Sequence, residues 1–392
     1  MSKVLIDIGS TYFKVATQKK IEHHFRNFDI SIYDDLKNRC GDILLNHKQE
    51  DIHIYSSANG GLSTLIIGIT ESFSLKYASN IAYNAGINII ESILYSDIKK
   101  AHKPENLIDV VIIVGGIDST KYIFDKELIT YLESINYQNI VYVGSSSQTQ
   151  FLTTYIQNLV VLPNIIDDKL KIYEDDLKEY LTNLYASDIE GKEDIKDLYQ
   201  LTSNQIYSTP YIVNQSLPYI HKLLDVADPF IVIDIGGATT DMHYSKDLVE
   251  DNIVTSNEYD RLVFKKLGVY KSADSLVFIA KNNEYVYELL AFLNKTENIM
   301  DNRDEESTKL LMQLSIFLVL YKVSHHHKSY LNIKLNSLNS IVLTGGITKV
   351  LSIKEMEDIV CFFYKKILNY DTIPNIVIDN NYAIWTLSRQ NK

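Results

Sequence analysis

Short runs of aliphatic and β-branched residues, each closed by glycine or a small polar turn, recur along the chain. Val4-Leu-Ile-Asp-Ile-Gly-Ser-Thr11 is one, and Phe230-Ile-Val-Ile-Asp-Ile-Gly-Gly-Ala-Thr-Thr-Asp241 repeats its plan. A third, Ser340-Ile-Val-Leu-Thr-Gly-Gly346, ends in the same glycine pair without the aspartate. Runs this short and this β-branched predict buried strands rather than helices. Between the first two copies, the pattern predicts strands over 52–57 and 62–70 around Gly60-Gly61, a helix over 72–85 and a strand over 87–94. A strand over 109–114 ending in Gly115-Gly116, a helix over 119–135 and a strand over 140–143 ending in Gly144-Ser-Ser-Ser147 follow. Strand alternating with helix defines an α/β class with a parallel or mixed sheet. Residues 163–227 read as helical, with the acidic stretch 167–197 as a solvated cap. Residues 265–306 read as irregular and charged, and 379–390 as a closing helix.

Two copies of one strand-and-turn device, most of a lobe apart, predict two similar halves facing one another. The expected division is a first lobe over 1–227, a second over 228–378, and a terminal helix over 379–392 that packs back on the first. A length of 392 residues suits two domains. Hydrophobic residues at 46% and charged residues at 22% place the chain among globular proteins. A formal net charge of −12 argues against a nucleic-acid partner, which selects for a basic face. Two cysteines far apart, Cys40 and Cys361, fit a reduced, cytoplasmic setting. No run of about 18 apolar residues predicts a membrane span.

The two aspartate-bearing turns carry the candidate chemistry. Gly9 permits close backbone approach, Ser10 and Thr11 offer hydroxyl and N–H donors, and successive N–H groups form an anion-binding concavity. Asp7 stands where the strand ends, placed to hold Mg²⁺ through water, as this hard cation is usually held beside phosphates. The opposing turn supplies Asp234 as the matching carboxylate and Gly236, Gly237, Ala238, Thr239 and Thr240 as phosphate ligands. Either motif alone reads as an Asx-type turn after a strand; the pair, with Gly345 and Gly346 to admit adenosine, points to ATP clamped from both sides. Neither a Gly-x-x-x-x-Gly-Lys-Ser/Thr loop nor a Gly-x-Gly-x-x-Gly helix opening occurs in the chain.

In this order the motifs resemble the ATPase superfamily of actin, Hsp70 and sugar kinases. Longer stretches are similar to the MutL family encoded beside adenosylcobalamin-dependent glutamate mutase: Asp7-Ile-Gly-Ser-Thr-Tyr-Phe-Lys14, Ser56-Ser-Ala-Asn-Gly-Gly-Leu62, Asp234 to His243, Asp109 to Asp118 and Asp379-Asn-Asn-Tyr-Ala383. The resemblance implies a two-lobed, ribonuclease H-like fold with ATP and Mg²⁺ in an interlobe cleft. It also implies a chaperone-like reactivase that uses ATP to exchange damaged cobalamin in a partner mutase. One segment departs from the family pattern: Arg261-Leu-Val-Phe-Lys-Lys-Leu-Gly268 carries Phe264 and Lys266 where relatives have acidic residues, which puts hydrolysis in question.

Several residues admit two readings. Asp118 either orients an attacking water or caps the following helix. Asp241 either reaches the metal or caps a turn, and Lys14 either neutralises a phosphate or is a solvated strand lysine. His325-His326-His327 cannot converge on one ion from a helix and reads as a polar helix end. A small-molecule kinase and an actin-like scaffold share the expected fold, and a second copy of the chain is a further candidate partner.

Overall fold

The computed structural model describes residues 3–57, 62–85, 87–118, 123–191, 196–249, 258–302, 304–325 and 333–390. The chain opens with β1 (Val4–Ile8), β2 (Tyr12–Ala16), β3 (Ile21–Phe25), α1 (Ile32–Leu45) and β4 (Ile52–Ser56). There follow β5 (Ser63–Gly68), α2 (Lys76–Asn84), β6 (Asn88–Leu94), β7 (Ile108–Val114), α3 (Lys126–Glu133), β8 (Tyr137–Tyr142), α4 (Thr149–Tyr155) and β9 (Val160–Val161). Next come α5 (Asp175–Gly191), β10 (Tyr207–Ser208) and α6 (Thr209–Ser216). The remainder is β11 (Phe230–Ile235), β12 (Thr240–Ser245), β13 (Tyr259–Phe264), α7 (Ala273–Lys281), α8 (Val286–Phe292), α9 (Glu305–His325), β14 (Ser340–Gly345), α10 (Ile353–Phe362), β15 (Asn375–Ile378) and α11 (Leu387–Gln390).

Two of the three sheets are built to one plan. The first runs β10-β4-β1-β2-β3 and the second β15-β14-β11-β12-β13. In each, an antiparallel hairpin and a third antiparallel strand lie on one side of the leading strand, and two parallel strands on the other. The repeat seen in the sequence is thus a repeat of whole sheets. Between β4 and β10 the chain inserts a third sheet, β6-β5-β7-β8-β9, whose neighbouring strands are all parallel.

Alternation along the leading strands separates the layers. Val4, Ile6 and Ile8 join the core of the first lobe, and Ile231, Ile233 and Ile235 that of the second. The intervening Leu5, Phe230 and Val232 meet between the lobes, together with Tyr55, Ile212, Val213, Val342, Ile384 and Trp385. The closing segment therefore sits between the paired sheets, with Trp385 edge-on to Tyr55 at 5.9 Å and the Ser388 amide donating to the Ser216 hydroxyl on α6. No described helix is long and apolar enough to cross a membrane.

Two segments differ from expectation. The acidic stretch expected as a solvated cap contains α5, which buries Leu177, Leu181 and Tyr185 in the first-lobe core. Spacing at i, i+4 and i+8 puts these three on one face, while the acids take the other. The region expected to be irregular contains α7 and α8, which bury Leu276, Leu289 and Leu290 against the second core. Buried Tyr185 also donates its hydroxyl to the Ser56 carbonyl at 2.8 Å. Tyr185→Phe is expected to cost about 1–2 kcal/mol in urea unfolding, because a strand-end acceptor loses its buried donor; an unchanged midpoint would show that water replaces the bond.

Candidate nucleotide site

The two hairpins share one hydrogen-bonding pattern. Gly9 N–H donates to Tyr12 O at 2.8 Å, and Gly236 N–H donates to Thr239 O at 3.0 Å. The first turn is thus tipped by Ser10 and Thr11 and the second by Gly237 and Ala238. The tips face each other across the lobes: a Cβ placed on Gly237 would lie 2.5 Å from Thr11 Oγ1 and 3.2 Å from Ser10 Oγ. A side chain at 237 would force the Thr11 hydroxyl to turn aside.

Hairpin register decides which side chains share the space behind the tips. Asp7 stands directly opposite Lys14, and Asp234 directly opposite Asp241. Opposed residues project to the same face, so Lys14 is not a solvated strand lysine. Its ammonium donates to Asp7 Oδ2 at 2.7 Å and lies 4.5 Å from the centre of the Tyr382 ring. Burial opposes the charge on Lys14, but the carboxylates of Asp7, Asp234 and Asp379 outweigh it and hold the ammonium above its ordinary pKa.

The three carboxylates around Lys14 are held differently. Asp7 Oδ1 accepts the Thr209 hydroxyl at 2.5 Å. Asp379 accepts the N–H groups of Ala383 and Ile384 and the hydroxyl of Thr344, which fixes the closing segment against β14. The Asp234 carboxylate receives no hydrogen bond from any described residue. Burial pushes its carboxyl up to about 6; Lys14 opposes the shift, and Asp241, Asp7 and Asp379 add to it. Tyr382 is likewise held well above its ordinary range, first by burial and then by the Asp234 and Asp379 carboxylates.

Glycine is required where β14 meets this group. Gly345 has φ +94°, and a Cβ there would lie 2.7 Å from Asp234 Oδ1 and 2.4 Å from Ile235 O. Gly346 follows beneath the Tyr382 hydroxyl, which would be 3.2 Å from its Cβ. Behind the second hairpin, Gly268 allows 265–272 to buttress the turn: Tyr270 and Lys271 donate to Gly237 O at 2.9 and 2.7 Å, and the Ser272 hydroxyl donates to Ala238 O at 2.6 Å.

Three expected site residues stand elsewhere or are otherwise engaged. Thr240 is fully buried and bonds Leu267 O and Ser315, so its hydroxyl faces the second core rather than the cleft. Asp241 is paired with Arg261, whose Nε and Nη2 lie 3.0 and 2.7 Å from Oδ1, so this carboxylate is committed to a guanidinium. Asp118 is exposed at the end of β7 in the inserted sheet; it accepts the Ser146 N–H at 3.0 Å, bonds Asn164, and touches none of the carboxylate group. The N-cap of α3 is Asp125, not Asp118. Phe264 ends β13 opposite Thr240 and packs on the second core, while Lys266 lies near Lys322. His325 stacks on Tyr321 at 4.1 Å as a helix end; His326, His327 and the Gly60-Gly61 turn lie outside the described residues.

Sequence reasoning gives no role to Thr209, Arg261, Asp379 or Tyr382. Asp379 and Tyr382 fall in the Asp379-Asn-Asn-Tyr-Ala383 motif, so a signal exists for them. Thr209, 202 residues from Asp7, offers none.

The residues present suit a hard cation held jointly with phosphates. Asp234 offers a carboxylate free of protein donors among the described residues, and Asp7 a second one neutralised by Lys14. Among the described residues no cluster of three or more acidic, histidine or cysteine ligands forms a cage, and Mg²⁺ beside a nucleotide needs only one or two carboxylates.

Paired sheets of one topology, with glycine hairpins tip to tip between them, define a two-lobed, actin-like fold. The MutL protein family matches residues 3–385, and the chain belongs to that family. No curated protein matches it. Among solved structures it is similar to acetone carboxylase in a nucleotide-free form, at 12% identity and TM-score 0.38 over 99% of this chain and 70% of that one. It is also similar to the 2-hydroxyisocaproyl-CoA dehydratase activator of Clostridium difficile with bound ADPNP, at 11% and 0.28 over 99% and 92%. The archaeal actin homolog Ta0583 gives 11% and 0.31 over the full length of both chains.

Proposed function

We propose that the chain binds MgATP between the two hairpins and couples lobe closure to reactivation of an adenosylcobalamin-dependent mutase. The observation that carries the nucleotide part is the tip-to-tip approach of Gly237 to Thr11 and Ser10 in front of Asp7, Lys14 and Asp234. Gly9, Ser10, Thr11, Gly236, Gly237, Ala238 and Thr239 would present N–H and hydroxyl donors to the phosphates, and Lys14 would turn from Asp7 toward them. Asp234 and Asp7 would hold Mg²⁺, which neutralises phosphate charge as the terminal group departs. Adenosine would lie against the backbone of half-buried Gly346, while buried Gly345 lets β14 close on β11 and Asp234 beside it. Asp118 and Asp241 are not carried into this set, because each is engaged elsewhere.

Closure follows from differential contact. A triphosphate bridges both tips, whereas a diphosphate leaves one tip without its partner, so hydrolysis favours opening. The mutase client rests on MutL membership and on the motifs shared with that family.

The direct test is a damaged-cofactor assay. Glutamate mutase inactivated with hydroxocobalamin is incubated with this chain, Mg²⁺ and ATP, and release of the corrinoid is followed by filtration. ATP-dependent release, with ADP formed in proportion, is expected. ADP formed only when a sugar or organic acid is added would replace this reading with a kinase, and ATP-dependent sedimentable polymer would replace it with a scaffold.

A further inference from the structure

A buried polar chain runs from the second phosphate hairpin to the inserted sheet. The Thr239 hydroxyl donates to Asp241 Oδ2 at 3.2 Å. Asp241 Oδ1 accepts both Nε and Nη2 of Arg261. The remaining arm of that guanidinium, Nη1, donates to Tyr83 O at 2.7 Å, in the last turn of α2. Arg261 is 4% exposed and Asp241 8%. A cation at a helix C-terminus also opposes the negative end of the helix dipole.

The same turn of α2 is fixed a second time. The Asn84 side chain donates to Asp260 Oδ1 at 2.8 Å, and Asn214 of α6 donates to Asn84 Oδ1 at 3.4 Å and to Tyr259 O at 3.2 Å. His243 on β12 faces Asn214 at 3.3 Å, and burial followed by the Arg261 charge holds this histidine well below its ordinary pKa, hence neutral. The inserted sheet is thus attached to the edge strand of the second lobe by directional bonds. Helix α2 in turn shares a buried core with that sheet: its Ala78, Ile81 and Ala82 join the cluster that holds Ile66 of β5, Ile89 of β6 and Ile112 of β7, and Leu75, the residue before α2, stands against Gly68 of β5.

We infer that Arg261 is a positioning residue that couples the phosphate hairpin to α2, so that nucleotide state is read out in the inserted sheet. Planarity makes this possible: one guanidinium serves Asp241 with one edge and a helix carbonyl with the other, which a lysine ammonium on a flexible stem does not reproduce. A displacement of Thr239 on phosphate binding pulls Asp241, and the guanidinium passes that movement to the end of α2. The inference rests on nucleotide binding at the hairpins.

The test is hydrogen exchange of the full chain with and without AMP-PNP and Mg²⁺, in wild type, Arg261→Lys and Thr239→Val. In wild type, peptides 4–16 and 230–245 report occupancy, and exchange in 76–85 is expected to change at least threefold. In Arg261→Lys the occupancy peptides should still respond, with affinity within about threefold, while 76–85 no longer does. Thr239→Val cuts the chain at its far end without touching the buried ion pair; because Thr239 also faces the phosphates, it is read at AMP-PNP concentrations where peptides 4–16 respond, and the loss at 76–85 should recur there even if Arg261→Lys folds poorly. Occupancy with no response at 76–85 in wild type, or a full response in both variants, overturns the coupling. Silence of the occupancy peptides in wild type would overturn the nucleotide reading itself, and the coupling with it.

Discussion

Asp234→Asn is expected to lower MgATP hydrolysis by about 10²–10³, or roughly 3–4 kcal/mol of transition-state stabilisation. The substitution keeps the shape of the side chain and removes the one carboxylate in the group that no described residue donates to. It should not unfold the protein. Burial holds the Asp234 carboxyl at about 6, against an ordinary 3.8, so its ionised form is a liability to the nucleotide-free fold. Neutral asparagine removes that liability, and the variant should melt at or above the wild-type temperature at about pH 7.5. Turnover unchanged at saturating Mg²⁺ would refute the metal assignment, and turnover lost together with the nucleotide-free fold would reassign Asp234 to a structural role.

The same shift sets a pH dependence. A carboxyl whose pKa is raised by folding binds a proton more tightly in the folded chain. Its stabilising contribution is therefore complete below about 3.8 and is lost as pH rises through about 6. Metal binding runs the other way, because the proton competes with the cation. Mg²⁺-dependent ATP affinity should fall by up to about tenfold per unit below about pH 6, and titration of wild type against Asp234→Asn isolates the part that belongs to this group.

The lobes and both hairpins are legible because a strand followed by a two-residue turn is a local event. The sequence leaves Lys14 between phosphate and solvent, although a turn centred on Ser10 and Thr11 places residues 7 and 14 opposite by counting outward. The same count places Asp241 beside Asp234, yet nothing local says that Arg261, twenty residues on, neutralises it. Charge misleads over 167–197, where Leu177, Leu181 and Tyr185 mark a buried face. Asp118 draws a catalytic reading because it follows a glycine pair at a strand end, a feature common to both sheet types in this chain. Strand order in the inserted sheet, which removes Asp118 from the carboxylate group, depends on long-range pairing that no local pattern encodes. Arg261 keeps its guanidinium-to-Asp241 contact although the acids expected near it are absent, so the second hairpin is supported by a route independent of positions 264 and 266.

Gly345→Ala should have the largest effect on the fold of the second lobe. Residue 345 has φ +94°, a conformation that costs an L side chain about 1–3 kcal/mol. Its Cβ would also stand 2.4 Å from Ile235 O and 2.6 Å from Ile235 N, both backbone atoms of the central strand β11, which cannot turn aside as a flexible side chain can. Relief requires β14 to separate from β11 or the peptide at 345 to rotate, and either movement displaces Asp234 at the same point. Together the strain and the collision should cost about 4 kcal/mol, seen as a lowered urea midpoint. Nucleotide affinity should fall in the folded fraction as well, since Asp234 and Gly345 share one contact. Gly41 provides the control: it lies in α1, and a Cβ there would meet nothing within 4 Å. Gly41→Ala should therefore leave affinity unchanged and add about 0.5–1 kcal/mol of stability. Equal behaviour of the two alanine variants would mean that β14 yields without cost and that the close packing at Asp234 is not what holds the carboxylate in place.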